Sequence, residues 1–409
     1  VDSSTLLFLA FIVYSVAFMI FVIGITGKKL NREDSEAKSE KWGKAGIIFS
    51  IIGFLCHAAF FFTRWAEAGH IPTSNMFEFM TFLAMMVMLA FIIVYFIYRS
   101  QVLGVFALPV GIIIIAYASV FPKEVQPLIP ALQSYWLKIH VTTAAAGEAF
   151  FAVGFAAGLM YLIRTINFNT KDPAGKKERF GVEITMFFLV TIVAFVVTIF
   201  SFNAAGYNAK FALPATEGSA IQQTAEYVLP PIVMPKDSQV IEMKPFIGMT
   251  EPLFESPSWF KGSGAARKLN TVIWSLIGGI ILYAVLRLIA RKPLSAAISP
   301  LMKGIDPEDI DEISYRAIAI GYPIFTLGAL IFAMIWAAEA WGRFWGWDPK
   351  EVWALITWLY YAAYLHFRLS RGWQGKKSAW LAVIGFIVVM FTLIGVNLVI
   401  AGLHSYAGV

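Results

Sequence analysis

Ten long apolar runs recur along this 409-residue chain, and they dictate what it can fold into. They fall at about 6–25, 45–63, 77–98, 102–120, 141–163, 184–202, 272–289, 318–337, 352–367 and 380–401. Runs of this length match a hydrocarbon layer about 30 Å thick when coiled as helix. In lipid the backbone must satisfy its own hydrogen bonds, which leaves helices or closed barrels. A barrel requires short alternating segments, and the runs here are continuous. Only 14% of residues are charged against 59% hydrophobic, where a soluble domain carries about a quarter charged. The expectation is an all-α polytopic membrane protein with about ten transmembrane helices.

Basic residues orient the helices. One set of alternate loops holds Lys28, Lys29, Arg32, Lys38, Lys41 and Lys44, then Arg99, then Arg164, Lys171, Lys176, Lys177 and Arg179. The same side continues with Arg287, Arg291, Lys292 and Lys303, and then Arg368, Arg371, Lys376 and Lys377. The opposite loops offer little beyond Arg64, Lys123, Lys138, Arg343 and Lys350. Positive loops stay cytoplasmic, so both termini are expected outside. The net charge of +6 thus reflects topology, and its dispersal over short loops speaks against nucleic acid as a partner. The start Val1-Asp2-Ser3-Ser4 has no basic region of the signal-peptide kind, so the first run is expected to be a retained helix. Cys56 is the single cysteine, which excludes an intrachain disulfide and a CxxC redox pair.

Three regions follow: helices 1–6 over 1–202, a polar segment over 203–267, and helices 7–10 over 268–409. The middle segment holds Pro214, Pro230, Pro231, Pro235, Pro245, Pro252 and Pro257. It is expected to form an external cap, ordered but irregular, with little regular structure.

The chemistry concentrates after the eighth run. Trp336, Trp341, Trp345, Trp347, Trp353 and Trp358 place six of the thirteen tryptophans within residues 336–358. Gly342, Gly346 and Pro349 interrupt the helix there. Asp348-Pro349-Lys350-Glu351 then carries the marks of a helix start: Asp at the N-cap, Pro first, Glu third. An interfacial aromatic belt also gathers tryptophan. A belt, however, does not require a glycine-spaced run enclosing Arg343 and Asp348. Flat indoles beside a guanidinium and a carboxylate suit a large planar amphipathic ligand with acidic substituents.

Of five histidines, His140 begins the fifth helix and His404 ends the tenth, both on the face of the tryptophan loop. Two imidazoles on one face can supply both axial positions of a haem iron. His366 lies 18 residues beyond Asp348, roughly 27 Å along a helix, and so belongs near the cytoplasmic side. If it binds haem there is a second site, and a ligand from another chain suits it better than His57, whose depth differs. His70, in the loop leading to Asn75 and Glu78, is as well suited to capping the third helix as to touching a ligand.

These residues resemble a known family. Trp341-Gly-Arg343-Phe-Trp345-Gly-Trp347-Asp348-Pro349-Lys350-Glu351 with Trp353 looks like the tryptophan-rich motif of haem-handling proteins. His140, the Tyr361-Ala-Ala-Tyr-Leu-His366 run, Gly402-Leu-His404-Ser-Tyr406 and the Gly69-His70-Ile-Pro72 loop resemble the system II cytochrome c biogenesis subunit of the CcsA/ResC family. The resemblance runs discontinuously from about Arg64 to Val409. It implies haem export and a holocytochrome c synthase (haem lyase) type of activity, with haem b as bound substrate. It also implies a CcsB/ResB-like membrane partner, with the apocytochrome CxxCH segment as substrate. His140 and His404 match the family's external haem ligands, and His366 matches its inner one. Trp336, Trp341, Arg343, Trp345, Trp347, Asp348 and Trp353 form the implied haem-contacting loop, with His70, Asn75 and Glu78 as further outer contacts. Two departures stand out: shorter members lack the 203–267 cap, and His57 matches no family ligand.

The implied chemistry is addition of substrate thiols across haem vinyl groups on the outer face of a bacterial cytoplasmic membrane. This chain supplies orientation. Having no dithiol of its own, it requires a separate thiol-reducing protein. Two rival classes fit the composition: a transporter of another planar or anionic ligand without catalysis, and a quinol-oxidising subunit with membrane haems. The second usually needs histidines paired at matched depth, a pattern this chain does not offer.

Overall fold

The computed structural model describes residues 2–27, 35–125, 128, 132–213, 224–257 and 265–396. Each of the ten apolar runs lies in a helix as far as it is described. These are α1 (Ser3–Gly27), α2 (Ser35–Ala68), α3 (Met76–Tyr98), α4 (Gln101–Ala118), α5 (Tyr135–Thr165), α6 (Pro173–Ala204) and α7 (Ala265–Ala290). A short α8 (Leu294–Ile298) leads to α9 (Pro307–Phe325), which continues through a widened π segment, Thr326–Phe332, into α10 (Ala333–Trp341). Then come α11 (Pro349–Arg371) and α12 (Lys376–Met390), the latter followed by a second π segment, Phe391–Gly395.

Among the described residues, nine helical stretches are long and apolar enough to cross a membrane, counting Pro307–Trp341 as one. The expected ninth span, in α11, is not among them because polar side chains dilute it. Those groups are turned into protein: Arg368 donates to Asp311 at 2.7 Å and to Ser378 at 3.0 Å, and the Tyr364 hydroxyl lies 3.0 Å from Ser378. Polar groups that find partners inside a bundle are what let such a helix sit in lipid.

The chain divides into two compact units, Val1–Val182 with Ser295–Gly408, and Glu183–Leu294. In the first, α5 is the most enclosed helix, packed against α9, α12, α3 and the first π segment. Small residues bring the backbones together, as expected where lipid gives helices no hydrophobic reason to associate. A methyl group on Gly147 would lie 2.6 Å from the Phe325 backbone, and one on Gly321 would lie 2.9 Å from the Gly147 carbonyl.

The second unit holds the proline-rich segment, which is more regular than its composition leads one to expect. Strands β1 (Ala209–Ala212), β2 (Thr224–Tyr227) and β4 (Gln239–Met243) form an antiparallel sheet in the order β2-β1-β4. Strands β3 (Val233–Met234) and β5 (Phe254–Glu255) pair in parallel. Side-chain bonds replace the long ladders that prolines forbid. The Asn270 amide oxygen accepts from Ile232 and Val233 at 2.9 Å each, and its NH2 group donates to the Val233 carbonyl at 2.6 Å. Tyr207, Phe211, Tyr227 and Val233 supply a small core of their own.

Candidate functional site

The tryptophan loop is shaped by its two ends. α10 stops at Gly342, whose φ of 69° is the left-handed conformation that ends helices. α11 begins with the capping box read from the sequence. Asp348 accepts from the Lys350 backbone N–H at 3.1 Å, and Glu351 reaches back to the N–H groups of Asp348 at 3.1 Å and Gly346 at 2.7 Å. Between them Trp347 has a φ of 55°, a costly conformation for a bulky side chain. The loop is therefore held from below by polar bonds while its indoles point elsewhere.

Those indoles separate into distinct environments. Trp336 is only 2% exposed, tilted against Trp341 at 4.8 Å and stacked on the His140 ring at 5.6 Å with 13° between planes. Trp345 meets Trp347 edge-on at 6.0 Å, while Trp347 itself is 69% exposed. Trp353 packs on Phe391 at 4.4 Å, and Trp358 donates to the Thr326 hydroxyl at 2.9 Å. Arg343 is exposed and folds over Gly346.

A cavity of about 190 Å³ opens among them. Trp336, Trp341 and Trp345 form one wall, His140 and Glu148 of α5 another, and Lys350 with Glu351 a third. Asn75, the N-cap of α3, also lines it. Glu78 does not face the cavity; fully buried, it accepts from Arg64 at 3.0 Å and from the Ser74 hydroxyl at 2.8 Å, which ties the loop to the helix. Arg64 in turn donates to the Lys123 carbonyl at 2.6 Å. The Nδ1 of His70 lies 3.0 Å from the Ile71 carbonyl, and its Nε2 is buried with no hydrogen-bond partner among the described residues.

His140 has the most informative geometry. Its Nδ1–H donates to the Gly328 carbonyl at 2.9 Å. That bond fixes the ring's orientation and leaves the lone pair on Nε2, the arrangement by which a second residue prepares an imidazole for a metal. Gly328 lies in the π segment, where its carbonyl also accepts from the Ala333 N–H five residues on. Pro323, which cannot donate a backbone bond, precedes the widened turns. π segments of this kind occur mostly at functional sites. The gathering of His140 with three of the expected tryptophans is thus visible, and the π carbonyl behind the histidine is an addition that sequence reasoning missed.

His404 lies outside the described residues. His366 is exposed on α11, its Nε2 3.2 Å from the Ser370 hydroxyl, with unbroken helix between it and the tryptophan loop. His57 is fully buried, edge-on to Tyr14 at 6.0 Å, and both its ring nitrogens are without hydrogen-bond partners among the described residues.

Residues 73–203 and 272–404 match the family described as Cytochrome C assembly protein. The cytochrome c biogenesis protein CcsA of Nostoc punctiforme is 34% identical over 368 residues, covering 89% of this chain and 88% of that one. CcsA of Crocosphaera subtropica is 34% identical over 359 residues, 87% of this chain and 85% of that one. CcsA of Gloeobacter violaceus is 30% identical over 366 residues, 88% and 84% respectively. This chain belongs to the cytochrome c assembly family. The two matched stretches hold every residue lining the cavity, together with His140, His366 and His404. They leave out His57, His70 and all five strands, and take in α5 and the tryptophan loop.

Proposed function

We propose that this chain holds haem in the His140 cavity and presents it for covalent attachment to apocytochrome c. What carries the reading is His140, oriented by the Gly328 carbonyl and stacked on Trp336 at the wall of a tryptophan-lined cavity. A flat, largely apolar macrocycle fits against indole faces, and an imidazole with its lone pair on Nε2 fits its iron. Membership of the cytochrome c assembly family supports the same reading.

In this proposal His140 and His404 are the two axial ligands of external haem b, and Trp336, Trp341 and Trp345 hold its ring. Trp347 and Arg343, both exposed, face the incoming CxxCH segment, while Asp348 and Trp353 hold the loop's shape. Double histidine ligation and exclusion of water keep the iron ferrous. Each substrate thiol then adds across a vinyl group: sulfur bonds to the inner vinyl carbon and the proton goes to the outer one. This chain contributes alignment of the two reactants, a gain measured in effective concentration. The activity is of the holocytochrome c synthase type, exercised with a CcsB/ResB-like subunit and fed by a separate thiol reductant. His366, exposed on α11, is the inner haem ligand, its counterpart coming from that subunit. The charge asymmetry of the loops supports an outward-facing tryptophan loop, which this proposal sets at the outer face of the bacterial cytoplasmic membrane.

Purification and absorption spectroscopy test this. The wild-type protein is expected to carry a Soret band typical of six-coordinate haem. His140→Ala should lose that ligation and regain it in part with added imidazole. A chain that takes up no haem, or a His140→Ala spectrum identical to wild type, refutes the proposal.

A further inference from the structure

We propose that Lys350 is the cation that anchors a carboxylate of the planar ligand inside the cavity, with Glu148 as the acidic group that shares the cavity with it. The inference rests on the haem-holding reading above and extends it to the ligand's acidic edge.

Apart from His140, Lys350 is the only basic side chain among the described residues lining the cavity. Its position is unfavourable on its own terms. It is the second residue of α11, where the helix dipole presents positive charge and disfavours an ammonium. No carboxylate lies within 4 Å of its Nζ among the described residues, although Asp348 and Glu148 act on it from farther off. The Asp348 side chain is turned to the helix N–H groups, and the Glu351 side chain to Gly346 and Asp348. A half-buried ammonium without an ion pair is costly to maintain unless something supplies one.

Glu148 presents the complementary anomaly. It lies two turns along α5 from His140, on the same face, and is 6% exposed. Its Oε2 has no hydrogen-bond partner among the described residues. An acidic and a basic side chain thus face one cavity that also holds the His140 imidazole. A ligand bearing a carboxylate satisfies Lys350, whereas an ionised Glu148 would oppose that carboxylate. Arg343, the guanidinium that the sequence offers for this role, is exposed and folded over Gly346, away from the cavity lining.

The test compares iron protoporphyrin IX with its dimethyl ester, which keeps the ring and the iron but removes both carboxylates. The full chain is reconstituted in phosphatidylcholine nanodiscs, so no anionic lipid competes, and titrated while the Soret band is followed. Partitioning of the ester into lipid cancels when variants are compared. Wild type is expected to prefer the free acid by about tenfold more than Lys350→Met does, the scale of one hydrogen bond to a charged group. Lys350→Arg should keep most of the preference, and Glu148→Gln should increase it. Ester affinity close to wild type in each variant reports an intact cavity, and Lys350→Gln serves if the Met variant fails to fold. A preference unchanged in both Lys350→Met and Lys350→Gln, or lost in Glu148→Gln, overturns the inference while leaving haem binding by His140 intact. Failure of wild type to bind either porphyrin overturns the haem-holding reading itself.

Discussion

Replacing Gly328 with alanine isolates the bond that orients His140. A methyl group there would collide with the backbone of α5, touching the Ala144 nitrogen and lying 2.6 Å from the Thr143 carbonyl carbon and 2.7 Å from the Ala144 Cα. Contacts become ordinary at 3.4 Å, so relieving the contact with the Ala144 nitrogen requires the π segment to retreat by roughly 1 Å. The His140 Nδ1–H···O bond, now 2.9 Å, would then stretch to about 3.9 Å, beyond the range of a hydrogen bond. Loss of such an orienting partner typically costs 10- to 100-fold in metal affinity, or about 1.4–2.8 kcal/mol. Haem titration and midpoint potential, measured on the purified chain, read the effect. Gly321→Ala is the control, because it crowds the same helix pair at 2.9 Å from the Gly147 carbonyl without touching His140. It should lower thermal stability and leave ligation alone. Wild-type haem affinity in Gly328→Ala, or equal damage from Gly321→Ala, would refute the reasoning.

Three further outcomes follow from the same geometry. His366→Ala should lower total haem loading while the remaining haem keeps its axial spectrum; a change resembling that of His140→Ala would mean one site rather than two. A reporter inserted near Lys171 should behave as cytoplasmic and one fused after Val409 as external, and the reverse pattern would place the tryptophan loop on the wrong side for its substrate. Asp311→Ala removes the 2.7 Å bond to the buried Arg368 and leaves Glu312, 3.6 Å away, as its carboxylate partner, so it should cost about 1.5–3 kcal/mol in detergent unfolding assays. A loss below about 1 kcal/mol would show that Glu312, Ser378 and the Tyr315 ring, 4.5 Å from the guanidinium, suffice to hold that arginine.

Much of this protein is written in short stretches of its sequence. Apolar runs of membrane length give helices because lipid offers the backbone no other partner. Asp348-Pro349-Lys350-Glu351 gives a capped helix start because every bond in that box closes within five residues. Glu148, a carboxyl group inside an apolar run, went unread in the sequence because nothing local says what it faces. The strands of the proline-rich segment were hidden because their partners are far apart: Ala209 pairs with both Tyr227 and Met243. The division of labour among the tryptophans was hidden as well. Trp336 is enclosed and Trp347 exposed only because α5 and the π segment of the α9–α10 helix cross where they do. The site follows the same rule: His140 takes its orientation from a carbonyl 188 residues away, and Glu148 and Lys350 line one cavity from two different helices. Spacing along one helix specifies which residues share a face. Which face meets which is set by how glycines at 147, 321 and 328 let backbones approach, and that is decided only when the helices pack.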